Sequence, residues 1–113
     1  MGVSSGQALV DEATFDFTMG DRKAAIEKLH QAIQQEPGCF PAWHALAEIH
    51  FDGGDYDAAL EAGMIAVGLH EENVHIHTTL SRIWMEKGDK EAAEKHGARA
   101  RVLGWKEQLR EEP

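Results

Sequence analysis

Gly20-Asp21, Gly54-Asp55 and Gly88-Asp89 stand 34 residues apart in a chain of 113. Alanines keep the same step at Ala25, Ala59 and Ala93, and again at Ala32, Ala66 and Ala100. Large apolar residues follow it from Leu9 to Trp43, from Leu46 to Leu80 and from Ile49 to Ile83. No gap is needed to align these columns. Such a period constrains the fold more than local propensity does, because one supersecondary unit has to serve three times. The units run about 6–39, 40–73 and 74–107, and the whole of 1–113 reads as one domain with a capping segment at 105–113.

Each unit reads as two helices. Trp43, Leu46, Ala47 and His50 recur at three- and four-residue steps along one helical face. Pro41 suits a first turn, Gly54 suits the left-handed position that ends a helix, and Asp55 or Asp57 can cap the next one. The other units place helices near 7–18, 23–36, 74–87 and 90–103, with a short closing helix over 105–112 and frayed residues at 1–5. Helices of this length are marginal alone in water, and each pair leaves an apolar face that only the next pair covers. The expected fold is therefore all-α. Gly63 and Gly97 share a column in which unit one has Leu29. A glycine inside a helix costs about 1 kcal/mol relative to alanine. Either packing offsets this, with Trp84 over Gly63 and Trp105 over Gly97, or the glycines mark a pocket or a joint.

The pattern resembles the tetratricopeptide repeat family. The match is densest in unit two, at Trp43, Leu46, Ala47, Gly54, Asp55, Tyr56, Ala59, Leu60 and Ala66. Unit three keeps Leu80, Gly88, Ala93 and Ala100, and unit one keeps Ala13, Gly20, Ala25, Ile26, Ala32 and Pro37. His77, Ser81 and Glu71 depart from it. The resemblance implies a right-handed α-α superhelix, a solenoid whose first helices line a concave groove that binds a peptide or protein. It points Val10, Phe17, His44, Glu48, Phe51, His75, Thr78, Arg82 and Met85 into that groove. Phe17 and Phe51 read equally well as core. Family members that grip a C-terminal carboxylate of heat-shock chaperones use Lys, Asn and Arg at sites occupied here by Val10, Thr14, Ala45, His75 and Thr79, so that clamp is absent. The groove would suit an amphipathic helix or an extended segment with apolar anchors.

Charge narrows the partner. The formal net charge is −9, which disfavours nucleic acid, since phosphate would be repelled rather than neutralised. Unit one carries −3, unit two −7 with no Lys or Arg, and unit three +2. The acidic middle is either a solvated outer surface or an attraction for a basic partner segment. Pairing of the basic third unit with the acidic middle of another copy would give a weak homo-oligomer. No apolar run approaches the roughly 20 residues of a membrane span. The single Cys39 excludes an internal disulfide, and a cytoplasmic, reducing compartment is expected.

Chemistry beyond binding has little support. His70, Glu71, Glu72, His75 and His77 cluster in sequence, but His75 and His77 are two apart on a helix and point apart, so no metal site is assigned. Titration of that junction could still make binding pH-sensitive. Cys39 has no evident base, and no cofactor or enzymatic role is assigned. The expected function is a scaffold or adaptor for protein binding. The alternatives are a dedicated secretion or assembly chaperone, and a structural subunit that self-associates through its repeat ends.

Overall fold

The computed structural model describes residues 5–111. The expectations for residues 1–4 and for the last two residues of the capping segment lie outside that range. Six helices follow in order: α1 (Gly6–Thr18), α2 (Arg22–Gln35), α3 (Phe40–Asp52), α4 (Tyr56–Leu69), α5 (Val74–Glu86) and α6 (Lys90–Glu111). They form an all-α helical-repeat solenoid.

The Gly-Asp pairs build the same corner three times. Gly20, Gly54 and Gly88 have φ of 88°, 81° and 86°, the left-handed region open to glycine. The following aspartate N–H returns to a carbonyl five residues back, from Asp21 to Asp16, Asp55 to His50 and Asp89 to Trp84, at 2.8–3.0 Å. This satisfies the orphan carbonyls of the first helix. The same aspartates then cap the second helix, their carboxylates accepting from Ala24, Ala58 and Ala92 N–H at 3.0, 3.1 and 2.9 Å. One dipeptide thus stops one helix and starts the next. Asp55 rather than Asp57 is the cap in unit two.

Close approach within each hairpin rests on side chains with no bulk. Ala13, Ala25, Ala32, Ala42, Ala47, Ala59 and Ala66 are wholly buried. Between hairpins, Leu29, Leu46, Ile76, Leu80 and Ile83 fill the core, and each buried side chain of this size contributes about 1.5–3 kcal/mol. Leu80 and Ile83, not Trp84, occupy the space over Gly63. A Cβ there would lie 2.9 Å from Leu80 Cδ2. Gly97 faces Ser81 Oγ rather than Trp105, which is 64% exposed.

Two ion pairs bolt the hairpins together at equivalent places. Arg22 donates to the Ile49 carbonyl at 2.6 Å and meets Asp52 at 2.9 Å, placing a cation at the C-terminal end of α3, where the helix dipole favours it. Lys87 meets Asp57 across the next junction.

α1 packs on α3 and α3 on α5, whereas α2, α4 and α6 make no such contact with one another among the described residues. The row of first helices is therefore the tighter one, and it forms the inner side of the stack. The expected short closing helix is not separate. Residues 105–111 continue α6 without a break. The turns after α2 and α4 contain Pro37-Gly38 and Asn73, whereas Gly104-Trp105-Lys106-Glu107 is compatible with helix throughout, and Gly104 does not adopt positive φ.

Candidate functional site

The inner row of helices builds one cleft. Phe17 of α1, Glu48, Phe51 and Asp52 of α3, and Thr79 and Arg82 of α5 line a cavity of about 290 Å³. Glu48 and Asp52 are four residues apart on a helix, so they fall on one face with Phe51 beside them. The Arg82 guanidinium lies over the Phe51 ring, 4.6 Å from its centroid, and Arg22 approaches Phe17 at 5.7 Å. Stacking on the ring helps hold the Arg82 fork at the cleft wall. No ion pair involves Arg82 among the described residues.

His44 forms the wall next to the cleft. Its Nε2 is 3.2 Å from Thr79 Oγ1 and 3.8 Å from Glu48. Burial holds the imidazole below its ordinary value; Glu48 opposes that shift and His75 adds to it. Thr79, His44 and Glu48 are a hydroxyl, an imidazole and a carboxylate, but they do not make a relay. A relay needs the carboxylate on the far ring nitrogen, and here Glu48 approaches the same Nε2 that meets Thr79. Thr79 also gives its proton to the His75 carbonyl at 3.0 Å.

Four of the nine residues singled out in the sequence, Phe17, Glu48, Phe51 and Arg82, share this cleft, and His44 borders it. Val10 does not line it. It is 7% exposed and sits in the core cluster shared by α1, α2 and α3, because α1 packs directly against α3 there. His75, Thr78 and Met85 are exposed on α5 and lie outside the cleft lining. Phe17 and Phe51 are half-buried, acting both as packing and as wall. Sequence reading missed Asp52, although its four-residue step from Glu48 signals it, and considered Thr79 only as a clamp position.

The histidine junction is resolved differently. His77 is buried. Its Nε2 donates to the Glu71 carbonyl at 2.7 Å, and its Nδ1 lies 3.1 Å from His96 Nδ1. Burial, then His77 and Lys95, hold His96 below its ordinary value. His70 instead packs edge-on against Phe40 at 4.8 Å.

Comparison with known proteins agrees with the corner geometry. Residues 17–62 match the family model described as tetratricopeptide repeat. That stretch spans the first and second of the three corners and is similar to a tetratricopeptide repeat. Solved structures share its fold. The crystal structure of MamA protein superimposes with a TM-score of 0.84 at 21% identity, covering 96% of this chain and 60% of that one. The second tetratricopeptide domain of Spaghetti (RPAP3), solved bound to the HSP90 peptide SRMEEVD, gives 0.84 at 15% identity, covering 88% of this chain and 93% of that one. The human General transcription factor 3C polypeptide 3 is 28% identical over 81 residues, 72% of this chain. The chain spans only 9% of that relative's length. Among the described residues, no helix is long and apolar enough to cross a membrane.

Proposed function

We propose that the chain is a non-catalytic protein-binding module that takes a short segment of a partner into the cleft between α1, α3 and α5. The observation that carries this reading is the convergence of Phe17, Phe51, Glu48, Asp52 and Arg82 from three separate repeats on one cavity. An apolar side chain of the partner seats between Phe17 and Phe51. A basic residue of the partner faces Glu48 and Asp52, and a carboxylate meets the Arg82 fork. The stacked, pre-formed wall supports binding with little ordering loss on this side. A structure of the same fold is bound to the HSP90 peptide SRMEEVD, which supports a peptide as the partner segment here. Val10, Ala45 and Thr79 offer no cationic clamp here, which favours a different peptide from the chaperone tail. The unpaired Cys39 thiol, buried in the turn before α3, fits a reducing, cytoplasmic setting.

The test is affinity capture from the protein's own cell extract with wild type, Glu48→Lys and Arg82→Glu. Each reversal should change the recovered partners. Recovery identical for all three rejects the cleft as the binding site.

A further inference from the structure

The outer side of the solenoid carries a second surface unrelated to the cleft. Val102, Trp105 and Leu109 recur at three- and four-residue steps along α6 and are 45%, 64% and 53% exposed. The buried face of α6, with Ala93, Ala100 and Leu103, lies opposite them. Beside this apolar ridge runs a row of cations, Lys95, Arg99, Lys106 and Arg110, none held in an ion pair among the described residues. On α4 the exposed face has the opposite sign. Met64, Ile65 and Leu69 stand exposed, with Glu61 among them and Glu71 and Glu72 just beyond the helix end. A cleft of about 330 Å³ separates the two helices, bordered by Gly68 on α4 and Arg99 on α6.

We propose that two copies of the chain pair through these outer faces, α6 of each seated on α4 of the other. Charge complementarity selects the occupant, since the acidic apolar helix that the α6 face needs is present in the chain itself. A two-fold axis running along the α4–α6 cleft exchanges the two helices and closes the dimer without leaving a surface to polymerise. Rotation about an axis parallel to the helices preserves height, so each α6 residue from Lys90 to Leu103 faces the α4 residue 34 positions earlier in the partner. Lys95 then meets Glu61 of the other copy, and Val102 projects at Gly68. A Cβ at Gly68 would have nothing within 4 Å, which leaves a hollow for that valine. By a rise of 1.5 Å per residue and a width of about 10 Å, α4 and the part of α6 that faces it together offer a footprint of roughly 400 Å² per copy. Two such footprints reach about 800 Å², in the range of weak, transient interfaces, so the dimer is concentration-dependent rather than obligate. An anionic membrane is disfavoured as occupant, because the acidic face of α4 adjoins the basic row.

Sedimentation velocity from about 5 to about 500 µM spans the range expected for an interface of this size. Wild type should pass from monomer to dimer, and high salt should shift the transition upward. Gly68→Arg fills the hollow without touching the fold, and Lys95→Glu or Glu61→Lys places like charges together. Each should weaken the dimer at least about tenfold. Lys95→Glu combined with Glu61→Lys should restore it, and circular dichroism should show every variant folded. A wild type that stays monomeric throughout, a dimer indifferent to Gly68→Arg, or a double reversal that fails to restore pairing overturns the proposal. So does a monomer whose α6 face instead captures anionic vesicles.

Discussion

Three helix-interior glycines should respond to alanine with different signs, and the difference comes from their surroundings alone. Gly104 lies in α6, away from positive φ, and a Cβ there would meet nothing within 4 Å. Gly104→Ala should therefore gain the full helix-propensity difference, about 0.8–1 kcal/mol. At Gly63 the added carbon would sit 2.9 Å from Leu80 Cδ2 and 3.7 Å from Ile83 Cδ1. Carbon pairs prefer about 3.5–4.0 Å. Leu80 and Ile83 are wholly buried and have no room to retreat. Overpacking of this kind costs about 1–3 kcal/mol, which exceeds the propensity gain and leaves Gly63→Ala destabilised by about 1 kcal/mol. Gly97 falls between, with Ser81 Oγ at 3.3 Å and a half-exposed site, so Gly97→Ala should be mildly stabilising. Urea unfolding followed by far-UV circular dichroism measures all three, provided the slopes with denaturant agree. For a domain of this size the two extremes should separate in Tm by several degrees, about 4 °C or more per kcal/mol. If Gly63→Ala stabilises as much as Gly104→Ala, the packing of α4 on α5 through that glycine is wrong.

The corner chemistry can be tested separately: Asp55→Ala should lose about 1 kcal/mol by removing the α4 cap. Gly54→Ala, at φ 81°, should lose about 1–2 kcal/mol by forcing a side chain into the left-handed region, and calorimetry checks both. Acid should destabilise the fold through His44 and His96, whose folded values lie below the ordinary 6.5 because burial favours the neutral ring. Their contribution is complete above 6.5 and declines as pH falls from there toward the folded values. Thermal melts between about pH 7.5 and 5.5 should show a falling Tm, with a shallower fall in His96→Gln. An equal slope in the variant removes His96 as a contributor.

Much of this architecture was legible because it depends on spacing. The Gly-Asp corners are local chemistry repeated at a fixed step, and the alanine columns mark where helices must nearly touch. Both signals survive without any knowledge of neighbours. The course of α6 was not legible in the same way. A glycine followed by Trp105 looks like a break until Gly104 is seen to keep helical backbone within α6. Glycine columns misled for a related reason. The space over Gly63 is filled from the next hairpin by Leu80, a residue whose own column already assigned it to core, so nothing in the sequence tied the two together. In the cleft, the apolar and charged residues of the inner helices could be placed by helical spacing, but Val10 could not. Whether it faces solvent or α3 depends on how closely α1 and α3 approach, and that distance follows from the whole stack.

The ends of the stack show why its partners should be sought on its sides. On the second helices, Ile26 and Leu60 share a column with Glu94, and Ile33 and Val67 share one with Arg101. The first two members of each column pack against the hydrophobic core, whereas Glu94 and Arg101 are exposed and paired at 2.8 Å. On the first helices, Leu46 and Leu80 are buried, but the equivalent Glu12 is exposed and reaches Lys28, which is held more closely by Asp16 at 2.7 Å. Another hairpin stacked on either end in the same register would have to strip water from these charges, and a buried ion pair seldom recovers that loss. Phe15 remains exposed at the α1 end, but a single ring beside Glu12 and Asp11 offers far less than the apolar columns that join the repeats inside. Self-association through the repeat ends is therefore disfavoured by the residues that stand there. The surfaces left with both apolar area and uncompensated charge are the inner cleft and the outer faces of α4 and α6, and they point in opposite directions. A partner segment in the cleft and a second copy on the outside can consequently be bound together, without competing for the same side chains.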